Sequence, residues 1–276
     1  MKILPLTTRI GAEVCDFRMD EFATPEQVEE IRDHLIEFKV LFFRDQFITP
    51  EDHVSFGKKF GSLETHPFTG SHHEHPEVMV IKRSPEENLR RGQSPYGEDC
   101  WHTDVSWRAT PSFGSILRAV SVPPVGGDTL WSDMVAAYEG LSTSMKNALV
   151  RLRAVHTAEK AFGSSLPPMK KADLLTRFPP VEHPVLRTHP DTGEKILYVC
   201  ESFTSHIVGM DRRDSDELLK ILYRQAAKPE YQTRLSWRPG TVAFWDNRST
   251  QHYACNDFGD FEREVQRVTI VGDHPF

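Results

Sequence analysis

The chain predicts a mostly β fold with flanking helices, a jelly-roll barrel, on three observations. From about Phe113 onward, short β-prone runs recur at 115–122, 129–132, 185–188, 196–199, 241–245 and 265–271. Glycine and proline turns separate them, and Asp191-Thr192-Gly193 between two of the runs is a hairpin signal. Helical spacing appears only in between, near 134–141, 144–152 and 216–227, so the helices belong outside a barrel of many short strands.

The N-terminal third supplies the flanking elements in order. Thr24-Pro25-Glu26-Gln27 is a helix start, with a capping threonine, proline in the first turn and glutamine three residues on. Val28, Ile31 and Leu35 follow at helical spacing. Val40-Leu41-Phe42-Phe43 reads as a buried strand, Thr49-Pro50-Glu51-Asp52 opens a second helix running toward Phe60-Gly61, and Val78-Met79-Val80-Ile81 is a short strand. Residues 83–100 are polar, with Pro85, Pro95 and Gly97, and read as a mobile loop. The segment 158–180 contains Gly163, Pro167, Pro168, Pro179 and Pro180 and reads as a long irregular insertion. No repeat, low-complexity tract or linker divides the chain. One domain over 1–276 is therefore expected, with active-site loops at 66–100 and 158–180.

Composition narrows the class. With 276 residues, 38% hydrophobic and 26% charged, a soluble globular protein is expected. The formal charge of −7 and the lack of a Lys/Arg block exclude a basic nucleic-acid-binding surface. No run approaches a membrane span, and the first residues lack a signal-peptide apolar core. Cys15, Cys100, Cys200 and Cys255 are widely spaced without a CxxC, as free thiols of a cytoplasmic protein are.

Two short motifs carry chemistry. Trp101-His102-Thr103-Asp104 places a histidine and a carboxylate two residues apart, which puts both on one face of an extended segment. Far downstream, Trp245-Asp246-Asn247-Arg248 precedes His252. Two histidines and one carboxylate form the facial triad of mononuclear non-haem Fe(II) oxygenases, which leaves positions for a bidentate 2-oxo acid and then O2. Arg263 and Arg267 are four apart on a β-prone run, so they share a side. Their distance from His252 fits adjacent strands. Guanidinium grips carboxylate or sulfonate oxygens in a fork, so the pair suits one anionic cosubstrate and one anionic substrate. The competing reading of the pair is two surface arginines on an edge strand. His189-Pro190-Asp191 repeats the ligand spacing, but its hairpin turn splays the side chains, and His72-His73-Glu74-His75 reads as solvated loop.

Together these residues resemble the taurine dioxygenase/TfdA family of Fe(II)/2-oxoglutarate-dependent dioxygenases. The resemblance runs through Val40 to Asp45, Trp101 to Asp104, Pro123 to Trp131, His183 to Pro190, Trp245 to Tyr253 and Arg267-Val268-Thr269. It implies a double-stranded β-helix barrel, a homodimer or tetramer, and His102, Asp104 and His252 as iron ligands. By the same resemblance, Thr129 and Arg263 hold the distal carboxylate of 2-oxoglutarate and Arg267 the anionic group of the substrate. His66, Phe162, Phe203 and Val105 match substrate-pocket positions. Spacing alone would make the two phenylalanines ordinary core. Two positions depart from the taurine enzymes. Thr69 stands where they have tyrosine, and Glu98 where they have asparagine, which weighs against taurine itself. Glu98 either pairs with a substrate amine or turns outward.

The expected reaction couples O2 and 2-oxoglutarate to hydroxylation of a small anionic substrate (sulfonate, sulfate ester or aryloxyalkanoate), releasing succinate and CO2. A zinc hydrolase or a non-catalytic jelly-roll binding protein are the readings from other classes. Neither requires paired arginines or the Gly126-Gly127-Asp128-Thr129 segment.

Overall fold

A computed structural model of the chain describes residues 1–19, 23–67, 70–84, 100–163 and 166–276. Its strands, in chain order, are β1 Lys2–Pro5, β2 Ala12–Cys15, β3 Val40–Phe43, β4 Leu63–Glu64, β5 Met79–Arg83, β6 Ser112–Ser121, β7 Thr129–Asp133 and β8 Arg153–His156. There follow β9 Val181–Pro184, β10 Leu186–Thr188, β11 Lys195–Leu197, β12 Thr204–Ile207, β13 Gln232–Leu235, β14 Val242–Asp246, β15 Thr250–Ala254 and β16 Arg263–Val271. The helices used below are α1 Pro25–Phe38, α2 Pro50–Lys58, α3 Met134–Glu139, α4 Thr143–Leu149, α5 Ala158–Phe162, α6 Pro168–Arg177 and α7 Arg212–Ala226.

The large sheet runs β1-β2-β3-β14-β6-β16-β4, with β5 also paired to β16; a smaller sheet runs β13-β7-β15. Period-2 alternation gives the large sheet two different faces. On the outer face, Leu41, Phe43, Phe244, Val268 and Ile270 pack with Val28, Ile31 and Leu35 of α1. On the inner face, Phe42, Ala243, Trp245 and Val265 pack with Trp131 of β7. Trp131 meets Phe42 at 5.3 Å and Trp245 at 5.7 Å between ring centroids, which holds the two sheets face to face. This is the predicted jelly roll, built as two facing sheets with helices outside.

The predicted helix starts are present for the predicted reason. The Thr24 hydroxyl accepts from Gln27 N at 3.3 Å, and Thr24 N donates to the Gln27 side chain at 2.9 Å. Thr49 and Asp52 make the same reciprocal cap on α2. Losing such a cap costs about 1 kcal/mol. Lys39 ends α1 in the left-handed region at φ 64°, which turns the chain straight into β3.

Three expectations need correction. The segment 158–180 is not irregular: it holds α5 and α6. Its prolines start a helix instead of breaking one, because Pro168 occupies the first turn, where no N–H partner is needed. Within 66–100, residues Met79–Arg83 form β5, paired with β16 over Arg263–Arg267. Finally, His252 and the two arginines do not lie on adjacent strands. β15 belongs to the small sheet and β16 to the large one, so these residues face each other across the interior.

Candidate functional site

The first ligand segment is fixed by backbone pairing. His102 N donates to His252 O at 3.1 Å and His252 N donates to His102 O at 2.7 Å, so residues 150 positions apart in sequence become cross-strand neighbours. Their rings lie 4.1 Å apart between centroids. The His102 Nδ1–H donates to the Cys100 carbonyl at 2.8 Å, which leaves Nε2 with its lone pair. The Cys100 contact is therefore made by its backbone and not by its thiol.

After Thr103 the chain turns, with Val105 at φ 48°. Asn247 governs that turn. Thr103 Oγ1 donates to Asn247 O at 2.6 Å, and Asp104 N donates to Asn247 Oδ1 at 3.3 Å. Asn247 Oδ1 also accepts from Trp245 Nε1 at 2.8 Å, and its Nδ2 donates to Ser115 Oγ at 2.9 Å. Ser115 in turn donates to Asp104 Oδ2 at 2.7 Å. Asp104 Oδ1 accepts from Arg267 Nη1 at 2.5 Å. Burial pushes the Asp104 carboxyl up, but Arg267, the two imidazoles and the Ser115 hydroxyl outweigh it and hold the group below the usual carboxylate range.

Donor atoms of His102, Asp104 and His252 all lie within 4.8 Å of one another, and His252 Nε2 is 3.9 Å from Asp104 Oδ1. Adjacent corners of an octahedron with bonds of about 2.1 Å are about 3 Å apart. The two-nitrogen, one-carboxylate set fits a first-row divalent metal. No other cluster of three such residues occurs among the described residues.

The predicted decoys go elsewhere. His189 Nε2 bonds Asp246 Oδ2 at 3.1 Å, and Asp191 pairs with Arg248 at 2.8 Å. His73 is exposed.

A cleft of about 130 Å³ opens beside the triad. Arg263, Val265 and Arg267 alternate with outward residues along β16 and line one wall. Thr129 lines it from the small sheet, and its Oγ1 accepts from Trp237 Nε1 at 2.9 Å. His66, Val105, Phe162 and Phe203 also reach the cleft. Burial, then the Arg267 charge, push the His66 imidazole down to about 3, so its ring is neutral. Thr69 and Glu98 lie outside the described residues.

Sequence reasoning missed Asn247, Ser115, Trp107, Met79, Ile81 and Leu117, the last four of which line the cleft. Asn247 had a signal, since it lies within the Trp245–Arg248 motif. Met79 and Ile81 alternate on a recognised strand, which gave half of theirs. Trp107 had none, because a turn residue has no periodicity to read.

Residues 2–269 match the family described as taurine catabolism dioxygenase TauD, TfdA family. The chain is 35% identical over 282 residues to an alkylsulfatase of Acinetobacter baylyi, covering 99% of this chain and 86% of that one. It is 34% identical over 283 residues to an alpha-ketoglutarate-dependent sulfate ester dioxygenase of Pseudomonas putida, covering 100% and 91%. The crystal structure of a taurine dioxygenase from Burkholderia xenovorans matches with a TM-score of 0.85 at 40% identity, covering 99% of this chain and 90% of that one.

Proposed function

The chain belongs to the taurine catabolism dioxygenase TauD, TfdA family, and from that premise we propose that it is an Fe(II)- and 2-oxoglutarate-dependent dioxygenase acting on a small anionic organic substrate. The observation that carries the reading is the convergence of buried His102, Asp104 and His252 on a cleft whose facing wall holds Arg263 and Arg267. Bound there with 2-oxoglutarate (alpha-ketoglutarate) and O2, Fe(II) supplies hydroxylation of a substrate C–H bond, coupled to decarboxylation of the 2-oxo acid to succinate and CO2.

The chain's own residues do the rest. His102, Asp104 and His252 would hold the metal. Trp237 donates to Thr129 Oγ1, so the threonine's own proton is left to point at an anion. Thr129 with Arg263 would hold the distal carboxylate of 2-oxoglutarate, and Arg267 the anionic head of the substrate. His66, Val105, Phe162 and Phe203 would keep water from the carbon to be oxidised. Hydroxylation beside a heteroatom lets the product expel sulfate, sulfite or an alcohol as its carbonyl forms.

The remaining expectations are part of the same proposal: one domain, a homodimer or tetramer, and a cytoplasmic location. No disulfide joins the four cysteines, which fits a reducing compartment. No helix among the described residues is long and apolar enough to cross a membrane. The deciding experiment measures bound iron and scores succinate release with a panel of sulfonates, sulfate esters and aryloxyalkanoates. Substrate-dependent succinate is expected. Its absence across the panel, or activity with zinc alone, would return the reading to a hydrolase or a binding protein.

A further inference from the structure

Beyond the metal-facing donors, the cleft is walled by rings. Phe203 stands edge-on to His102 at 6.2 Å, Phe162 lies 6.1 Å from Phe203, His66 6.4 Å from Phe162, and Trp107 6.4 Å from His66, all between centroids. Trp107 then returns to the ligand segment, three residues after Asp104. None of these pocket rings is charged, since His66 is neutral. Among the described residues, Asp104 is the one carboxylate lining the cleft, and it already accepts from Arg267 and Ser115. An alkyl body entering here would shed its water against these apolar walls.

Trp107 is braced from behind. Phe178, the residue after α6, meets it edge-on at 4.9 Å. The Arg108 guanidinium lies 5.2 Å from the Trp107 ring and 5.6 Å from the Phe178 ring. Arg108 pairs with Glu64 at 2.9 Å, and that carboxylate is 5% exposed. Glu64 sits on β4 opposite Thr269, two residues beyond Arg267 on β16. The ring is thus tied both to α6 and to the strand that bears the anion-binding arginine. The reaction described above gives the buried Glu64 carboxylate no other task.

We propose that Trp107 sets how long an apolar body the site accepts, and that the Glu64–Arg108 pair positions its ring. The inference rests on the functional reading above and adds to it what limits the length of the substrate's apolar body. Trp107 is the specificity-determining wall; Glu64 and Arg108 act through it.

The test is calorimetric binding, without O2, to the full chain loaded with Mn(II) and 2-oxoglutarate. The probes are n-alkyl sulfates and n-alkyl sulfonates of increasing length. For the wild type, affinity should rise about fourfold per methylene up to a limiting length and then fall. Trp107→Ala and Trp107→Phe should move that limit to longer chains, and Glu64→Gln should blunt the fall. The two head-group series show which sulfur oxyanion the site prefers. The 2-oxoglutarate affinity, measured in the same preparations, reports whether each site is intact. If Trp107→Ala does not fold, Trp107→Phe, which keeps the edge contact with Phe178, carries the test. An unchanged limit in a Trp107 variant with intact 2-oxoglutarate binding would overturn the assignment of Trp107 and leave the dioxygenase reading standing. Binding of 2-oxoglutarate but of no member of either series would overturn both this inference and the sulfur-oxyanion part of the functional reading.

Discussion

Replacing Asn247 with alanine removes a side chain that touches no substrate yet holds the ligand turn together. Three hydrogen bonds of ordinary geometry go with it: Trp245 Nε1 to Oδ1 at 2.8 Å, Nδ2 to Ser115 Oγ at 2.9 Å, and Asp104 N to Oδ1 at 3.3 Å. At about 1 kcal/mol each, and with the Trp245 indole N–H left in a ring only 1% exposed, the loss of stability should be about 3–4 kcal/mol. For a chain of this size that lowers Tm by roughly 6 °C. A second effect should separate from the first. Ser115 loses the donor that orients it and then holds Asp104 Oδ2 less firmly. Metal affinity should therefore fall by about 10–100-fold. Urea unfolding reads the first number, and calorimetric titration with Fe(II) or Mn(II) the second. Asn247→Asp keeps the Oδ1 acceptor but takes away the donor to Ser115 and adds charge, so it should recover part of the stability and little of the metal affinity. Metal affinity within twofold of wild type in both variants would refute the argument that Asn247 orients the ligand. Unchanged stability would refute the hydrogen-bond arithmetic as well.

His102→Ala, Asp104→Ala and His252→Ala should each abolish succinate formation and weaken metal binding while far-UV circular dichroism stays native; near-normal turnover by any of them would sink the triad. Arg263→Ala should raise the KM for 2-oxoglutarate and Arg267→Ala that for the primary substrate, each by about 1.5–3 kcal/mol, and steady-state kinetics with both substrates varied would show whether the roles divide this way. His53 is fully buried, with Nε2 bonded to Ile116 O at 3.0 Å, and burial, then the Arg118 charge, push its imidazole down to about 3. The unfolded chain takes up a proton at this residue below about pH 6.5 and the folded chain only near 3, so stability should decline as pH falls through that window, by up to about 4–5 kcal/mol. His53→Gln should flatten this part of the stability–pH curve, and an unchanged curve would assign the acid sensitivity elsewhere. Glu98→Gln, compared with wild type on an amino-sulfonate and an alkyl anion, should lose activity on the amine alone if Glu98 pairs with it; unchanged selectivity makes Glu98 a bystander.

What the sequence determined by itself is local or periodic. The capping boxes at Thr24 and Thr49 are read from four residues each, because a cap is satisfied within one turn. The shared side of Arg263 and Arg267 follows from a period of two, and the inward-facing Val265 between them agrees with it. The His-x-Asp pair and the distant histidine were legible because a metal needs those donor types, whatever fold delivers them. Only the tertiary structure decided that His102 pairs directly with His252, and that the arginines face them from the opposite sheet. It alone made the proline-rich segment two helices, and brought Glu64, Arg108, Trp107 and Phe178 into one stack. The physical reason is range. Backbone capping and strand alternation act over a few residues and leave a pattern in the chain. The contacts of Asn247 with Asp104 and Ser115 span more than 130 positions, and each depends on how two sheets close over a shared core. A side chain chosen for such a contact looks, in the sequence, like any other asparagine or tryptophan.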